Sequence, residues 1–542
     1  MDTGRLSTGL NDEAHAIVYD QYLSPDDTAD GLGEELHLIS EVDRAHLVML
    51  TERGIVEPAF ASALLHAIDD LRRTDFAAVR ARSMPRGVYL AYEGLLTERL
   101  GEEIGGVMHT GRSRNDLNAT TARLRARRHF LRLVDATEGL ARTLLDKAEE
   151  HRAVVMPAYT HGQPAVPITY GHYLAGVGCS VLRALEDLLH AGRELDVNPL
   201  GAGAVGGTSV AIDPDRTSVL LGFAGPARNS VDAVASRDFA LRLLAVASAL
   251  GVTVARVARD LSTWTSEETG LVHLADDLVG SSSMMPQKRN PFLLEHVQGR
   301  ATASLGAFTA AASSMATASY TNAIAVGTEA LRHTWPGLGN ATDAVTLLRL
   351  IVHGAEPDAE RMLRRAVDGF TPATYLAERL VATGMPFRSA HHLVGKTVLR
   401  ALDTSRSFAE AARDVPEIAR LAAGHGASES TGSLDDWLQP AAVAWACAYG
   451  GGPGGDSTVT AAGLRADLQQ ARAEAEKRRT RWAASAAALD EAVWKLVHPD
   501  LHASPDPPRD AAALTSHPTW YSRHRGRQPS SRPSWPADAE EW

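Results

Sequence analysis

Three short polar segments hold the side chains that could do chemistry. From Gly280 to Pro291 the chain reads Gly-Ser-Ser-Ser-Met-Met-Pro-Gln-Lys-Arg-Asn-Pro, crowding hydroxyls, a lysine and an amide into a stretch that neither helix nor strand favours. By composition alone this is either a functional loop or a polar linker between two long helices. Ser113, Arg114 and Asn115 gather donors just before a long amphipathic run, a suitable place to hold a dicarboxylate. A plain helix cap is the alternative there. Asp116 could supply that cap alone, but capping would not require Arg112, Arg114 and Asn115 beside it. The third segment, Met156 to Gln163, sets His161 next to Thr160; a lone histidine would usually be structural.

Two other patterns carry less. Gly201-Ala-Gly-Ala-Val-Gly206 matches the three-glycine dinucleotide pattern, but Asn198-Pro199 begins it and no hydrophobic strand precedes it. Close backbone packing explains it better. His391-His392, His151 and His172 lack a set of partner ligands at metal-binding spacing, so neither metal nor cofactor is expected.

Long helices must position these segments, because proline interrupts helices and long stretches of this chain lack it. The runs Ile168 to Asn198, Ala240 to Val279 and Phe292 to Trp335 contain none and are rich in Ala and Leu, so each can be one long helix. In the middle run Leu243, Val246, Leu250, Val254, Val257 and Leu261 fall on one face. Strand signals are scarce, and the expected class is all-α. The chain divides into an N-terminal helical part (1–107), a long-helix core with the 280–291 loop (108–367), a C-terminal helical part (368–471) and a terminal helix (472–497). Residues 498–542, dense in Pro, Ser and Arg and containing Trp520 and Trp535, read as a disordered tail. A helix of about 40 residues would run to roughly 60 Å, and helices that long usually bundle with other chains.

The charge balance narrows the partners. Sixty-six acidic against 54 basic residues leave a formal charge of -12, which disfavours a grip on nucleic acid or an anionic membrane and points to a small-molecule partner. Two cysteines, Cys179 and Cys447, are too few for a disulfide framework and fit a cytoplasmic location. The first twenty residues lack a signal-peptide pattern, and no window of about 18 uninterrupted apolar residues occurs.

The 280–291 loop resembles the signature loop of the fumarase and aspartase superfamily, usually Gly-Ser-Ser, any residue, Met-Pro, any residue, Lys, any residue, Asn. Gln287 and Arg289 within it, and His109-Thr-Gly-Arg-Ser-Arg-Asn-Asp116, look most like argininosuccinate lyase. Met156-Pro-Ala-Tyr-Thr-His-Gly-Gln163, Ser236-Arg-Asp-Phe239, Gly369 to Ala377 and Met385 to His391 extend the resemblance over roughly residues 35 to 455. It implies a homotetramer in which three motif regions from three subunits form each active site, around a twenty-helix core.

The implied activity is elimination of fumarate from an N-substituted aspartate. Proton loss beside a carboxylate gives a doubly negative aci-carboxylate that only preorganised positive charge and hydrogen bonds can stabilise. The resemblance assigns Ser282 as the base, Lys288 and Asn290 as stabilisers, and His161 paired with a buried Glu295 as the acid. Ser113, Asn115 and Thr160 would bind the succinyl carboxylates, with Arg114 and Arg237 as electrostatic support and Tyr320 retained near the substrate.

Departures from the pattern concentrate on the leaving group. The family's Tyr-Asn-Lys-Asp-Leu-Gln becomes Tyr320-Thr-Asn-Ala-Ile-Ala325, so Ala323 and Ala325 replace an aspartate and a glutamine that helps hold the arginine end. Val166 stands where the family has Gln, Tyr89 stands near a usual His, and Ser281 replaces the loop's Gly. A diverged relative acting on another N-substituted aspartate in specialised metabolism is therefore a second reading. A non-catalytic crystallin-like or scaffold protein is a third.

Overall fold

The computed structural model describes residue 13 and residues 27–82, 87–424, 434–455 and 462–499. The expected tail with Trp520 and Trp535 lies outside the described residues. Among the described residues, contacts along the chain define two compact units: those up to 31 and within 112–207 and 227–479 form the first, and those within 32–111, 208–226 and 480–499 the second.

Alanine-rich, leucine-striped runs build five helices of the first unit: α1 (Arg114–Glu150), α2 (Tyr170–Ala191), α3 (Asp238–Trp264), α4 (Phe292–Ala316) and α5 (Ala330–His353). They pack as a bundle, with α4 against α3 and α5, α1 against α2 and α5, and α3 also against α2 and α5. Phe130 and Leu144 of α1, Leu185 of α2, Leu243 and Val254 of α3, Val297 of α4 and Ile351 of α5 are all fully or almost fully buried. Burying each such side chain stabilises the fold by about 1.5–3 kcal/mol. Two crossings are too tight for a side chain. A Cβ at Gly251 would sit 2.4 Å from the Ala301 carbonyl oxygen, and one at Gly337 would sit 2.5 Å from the Ala307 Cβ. Helix α3 is apolar and long enough to cross a membrane by length and composition, yet it packs against three helices of this bundle.

The proline-free runs overstate helix length. The run from Phe292 to Trp335 is two helices, because α4 ends at Ala316 and the chain turns through Ser319 to Ala323 before α5. The turn is fixed by tertiary hydrogen bonds of Tyr320 and Asn322, which no local pattern announces. Pro336 conversely lies inside α5, on an exposed face where water can reach the Arg332 carbonyl that it leaves unpaired. Likewise α3 stops at Trp264, and the chain continues to a short strand, Val272–Leu274, paired with Ala355–Pro357. The last helix starts at Gly463, ahead of 472, since Leu464, Leu468, Ala471 and Ala475 continue one buried stripe.

Between α1 and α2 lies a hairpin, β1 (Val155–Thr160) against β2 (Gln163–Thr169). A smaller helical cluster of the same unit buries Leu376, Leu380, Val394, Phe408 and Trp437. The second unit packs Met49, Leu50, Val56 and Ala61 with Phe60, Val107 and Ile212, and its Arg44 pairs with Asp69 and Asp490.

Candidate active site

The start of α1 is a cap that holds three of the expected binding residues, Ser113, Arg114 and Asn115. Ser113 is the N-cap: its Oγ accepts from the Asn115 N–H at 3.3 Å, while its own N–H donates to Asp116 Oδ1 at 2.9 Å. This reciprocal box satisfies amides that the helix cannot pair. Asp116 is fully buried, and its second oxygen accepts from Gly201 N at 3.0 Å and Gly203 N at 2.9 Å. The glycine-rich turn is thus an anion nest around a carboxylate of the protein itself. Gly201 and Gly203 have φ of 108° and 61°, and a Cβ on Gly203 would meet the Gly207 carbonyl oxygen at 2.4 Å. Burial raises the Asp116 carboxyl above its ordinary range, opposed by the amides and by Arg112.

This platform presents Asn115, half-buried, whose Nδ2 donates to the Ala204 carbonyl at 2.9 Å. Its Oδ1 accepts from Asn322 Nδ2, also at 2.9 Å. Arg114 is exposed on the first turn. Two residues before Asn322, the Tyr320 hydroxyl donates to Asp232 at 2.7 Å, and that bond holds its proton more firmly than in a free phenol. Arg237 is 1% exposed and donates to the Val234 and Ser236 carbonyls. Burial, and then Arg123, push its guanidinium down to about 9, which leaves it cationic at neutral pH. Gly327 lies beside it: a Cβ there would be 3.9 Å from Arg237 Nη2 and 4.0 Å from Asn322 Oδ1. Ser113, Asn115, Tyr320 and Arg237 therefore gather around one helix terminus, and Asp232 and Asn322 join them. Sequence reasoning missed both. Asn322 differs from the resembling pattern only by standing in for a lysine, which gave no sign of its contact with Asn115.

The 280–291 segment is a loop with a closed neck. Gly280 and Asn290 exchange backbone hydrogen bonds of 2.9 and 2.8 Å, and the Arg289 guanidinium anchors the loop to Asp276 and to the Leu274 carbonyl. Ser282 Oγ accepts from the N–H groups of Met284 at 3.4 Å and Met285 at 3.0 Å. Amide donors aimed at a hydroxyl oxygen favour its negatively charged form, so that more of the serine is available to act as a base at a given pH. Lys288 is exposed, and Asn290 Nδ2 donates back to the Ser281 carbonyl at 3.4 Å.

His161 and Gly162 form the two-residue turn between the paired Thr160 and Gln163, with φ of 54° and 75°. Both residues of such a hairpin turn need positive φ, which histidine tolerates less well than glycine. Thr160 and His161 are thereby carried, exposed, to the hairpin tip. Glu295, expected to be buried, is instead exposed in the single chain on the first turn of α4. Among the described residues no hydrogen bond or ion pair joins His161 to Glu295, or the hairpin tip to the 280–291 loop.

Glu150, His151 and Glu356 could each turn a metal-ligating atom toward a common point. Lys147 already occupies the space between the carboxylates, with Nζ 2.8 Å from Glu356 and 3.1 Å from Glu150. His151 Nε2 lies 3.9 Å from each carboxylate, and burial pushes the imidazole below its ordinary value. The unfolded chain therefore takes up this proton first, and the contribution of His151 to stability is complete above about pH 6.5 and lost as pH falls from there through the lowered value of the folded protein. His151→Phe should flatten the fall in thermal midpoint between about pH 7 and pH 5, as melting curves across that range would show.

A family model described as Lyase matches residues 40–306, and one described as Argininosuccinate lyase C-terminal matches residues 370–422. Curated proteins named argininosuccinate lyase include one from Methanoculleus marisnigri, 37% identical over 386 residues covering 71% of this chain and 78% of that protein. Another, from Natronomonas pharaonis, is 38% identical over 378 residues, 69% and 75% of the respective chains. Among solved structures, a variant of EDDS lyase with bound fumarate aligns with a TM-score of 0.79 and 28% identity, over 92% of this chain and 98% of that one. The 3-carboxy-cis,cis-muconate lactonizing enzyme from Pseudomonas putida has a TM-score of 0.62 and 21% identity over 85% and 99%, a likeness of fold.

Proposed function

The chain belongs to the argininosuccinate lyase family, and from that premise we propose that this carbon–nitrogen lyase eliminates fumarate from argininosuccinate, releasing arginine. The observation that supports it most is the seat of Ser282, a hydroxyl oxygen facing two amide donors inside a loop closed at its neck. Ser282 takes the proton from the carbon next to one succinyl carboxylate. Lys288 and Asn290 stabilise the charge that develops on that carboxylate. The carbon–nitrogen bond then breaks, the electron pair leaves on nitrogen, and His161, oriented by Glu295, returns a proton to it. Ser113, Asn115 and Thr160 hold the succinyl carboxylates, and Arg114 and Arg237 offset their charge.

We read the enzyme as a homotetramer in which different chains supply the three segments of each site, as the resemblance implies. Val252 on α3 and Leu305 on α4 support this reading, since each is an apolar side chain 50% exposed on a helix of the bundle. The cytoplasm is the proposed location, given two cysteines and no disulfide between them.

A second reading rests on Ala323 and Ala325. Neither can hydrogen-bond a guanidinium through its side chain, and EDDS lyase, whose name indicates another substrate, is structurally similar. The test is the rise in ultraviolet absorbance from fumarate's conjugated double bond. Rapid release from argininosuccinate supports the first reading, while release only from another N-substituted aspartate supports the second.

A further inference from the structure

We propose that Asn322 is a positioning residue, which fixes the Asn115 amide so that its free N–H, rather than its oxygen, meets a carboxylate of the substrate. This rests on the reading of Asn115 as a carboxylate-binding residue. An asparagine amide has a donor end and an acceptor end, and its neighbours decide which faces where. The Ala204 carbonyl can only accept, so it draws Nδ2 of Asn115 toward itself. Oδ1 must then lie on the other side, where Asn322 Nδ2 donates to it at 2.9 Å. With both ends engaged, one N–H of Asn115 is left for a ligand, in an orientation suited to an anion.

Asparagine and aspartate have nearly the same shape, so Asn322→Asp removes the donor without removing volume. The introduced carboxylate would face Oδ1 of Asn115 with a second acceptor. If the Asn115 amide flipped to meet it, Oδ1 would instead face the Ala204 carbonyl. Either arrangement leaves two oxygens opposed, which should hurt more than simple truncation. Asn322 is exposed and caps no helix, so neither variant should unfold the chain, and thermal midpoints serve as the check.

The test is a double-mutant cycle with Asn115→Ala, read as fumarate affinity by calorimetry and as kcat and KM for fumarate release by the full-length enzyme. Asn322→Asp should weaken fumarate binding and raise KM by about 10- to 100-fold, and Asn322→Ala by less, about 3- to 10-fold. Asn322→Gln, which keeps a donor, should recover part of the loss. In the Asn115→Ala background Asn322→Asp should change affinity by less than about twofold. Persistence of the loss in that background would mean direct repulsion of the ligand and would overturn the proposal. So would a wild-type affinity for Asn322→Asp while the parent enzyme binds and releases fumarate. A parent enzyme that neither binds nor releases fumarate would overturn the lyase reading itself, and this proposal with it.

Discussion

Replacing Ser282 with alanine should lower kcat for fumarate release by about a thousand-fold, within the range for losing a positioned general base. Fumarate affinity should stay within about threefold, because the carboxylate-holding groups named above remain. The loop has no reason to collapse. Its neck is closed by Gly280 and Asn290, Arg289 anchors it, and the amides of Met284 and Met285 are exposed and can bind water instead. Ser283→Ala is the matched control: Ser283 is exposed and takes part in no hydrogen bond among the described residues. Fumarate absorbance with calorimetry separates the outcomes. Equal loss in both variants would mean that the loop works as a polar unit, and a normal rate in Ser282→Ala would assign the base elsewhere.

Asp116→Ala should destabilise the protein by about 3–5 kcal/mol, the range for removing one member of a buried charged network. Four backbone amides, those of Ser113, Leu117, Gly201 and Gly203, donate to this carboxylate. Without it they are stranded in a space that water cannot easily fill. Asp116→Asn should recover only part of the loss, since an asparagine has one acceptor oxygen and would turn an NH2 group toward either the glycines or the cap. Activity should fall with stability in both variants, because Asn115 depends on the helix start and on Ala204 beside the nest. Urea unfolding followed by circular dichroism measures the first effect. An alanine variant as stable as its parent would show that the glycine turn forms without its anion.

The sequence carried the bundle more clearly than its joints. The leucine stripe of α3 and the long run of α1 follow from helical periodicity, and both are helices in the structure. The break between α4 and α5 did not show, because missing proline permits a helix without requiring one. That break is held by Tyr320 bonding Asp232 and by Asn322 bonding Asn115, across separations of 88 and 207 residues that no local window covers. The candidate site was legible as residue types, the hydroxyls, lysine and amide of the 280–291 loop and the donors at the start of α1. Partners such as Ala204, which acts through its backbone carbonyl, have no signature in residue type. At Ser113 to Asp116 the cap is present, made by Ser113 and Asp116 together, and the same carboxylate sets the turn against which Asn115 rests, so capping does not argue against a binding role there.

The nest around Asp116 can also be viewed as a receptor supplied with its own tethered ligand. The carboxylate is joined to the glycine turn through 85 residues of the same chain. Its local concentration is therefore set by the fold rather than by the solution, and a free phosphate would have to displace it from a closed interior. A three-glycine pattern that elsewhere advertises a vacancy for a nucleotide here marks an occupied seat. The enzyme should accordingly ignore nucleotides and inorganic phosphate at that turn, however well its glycines fit the pattern.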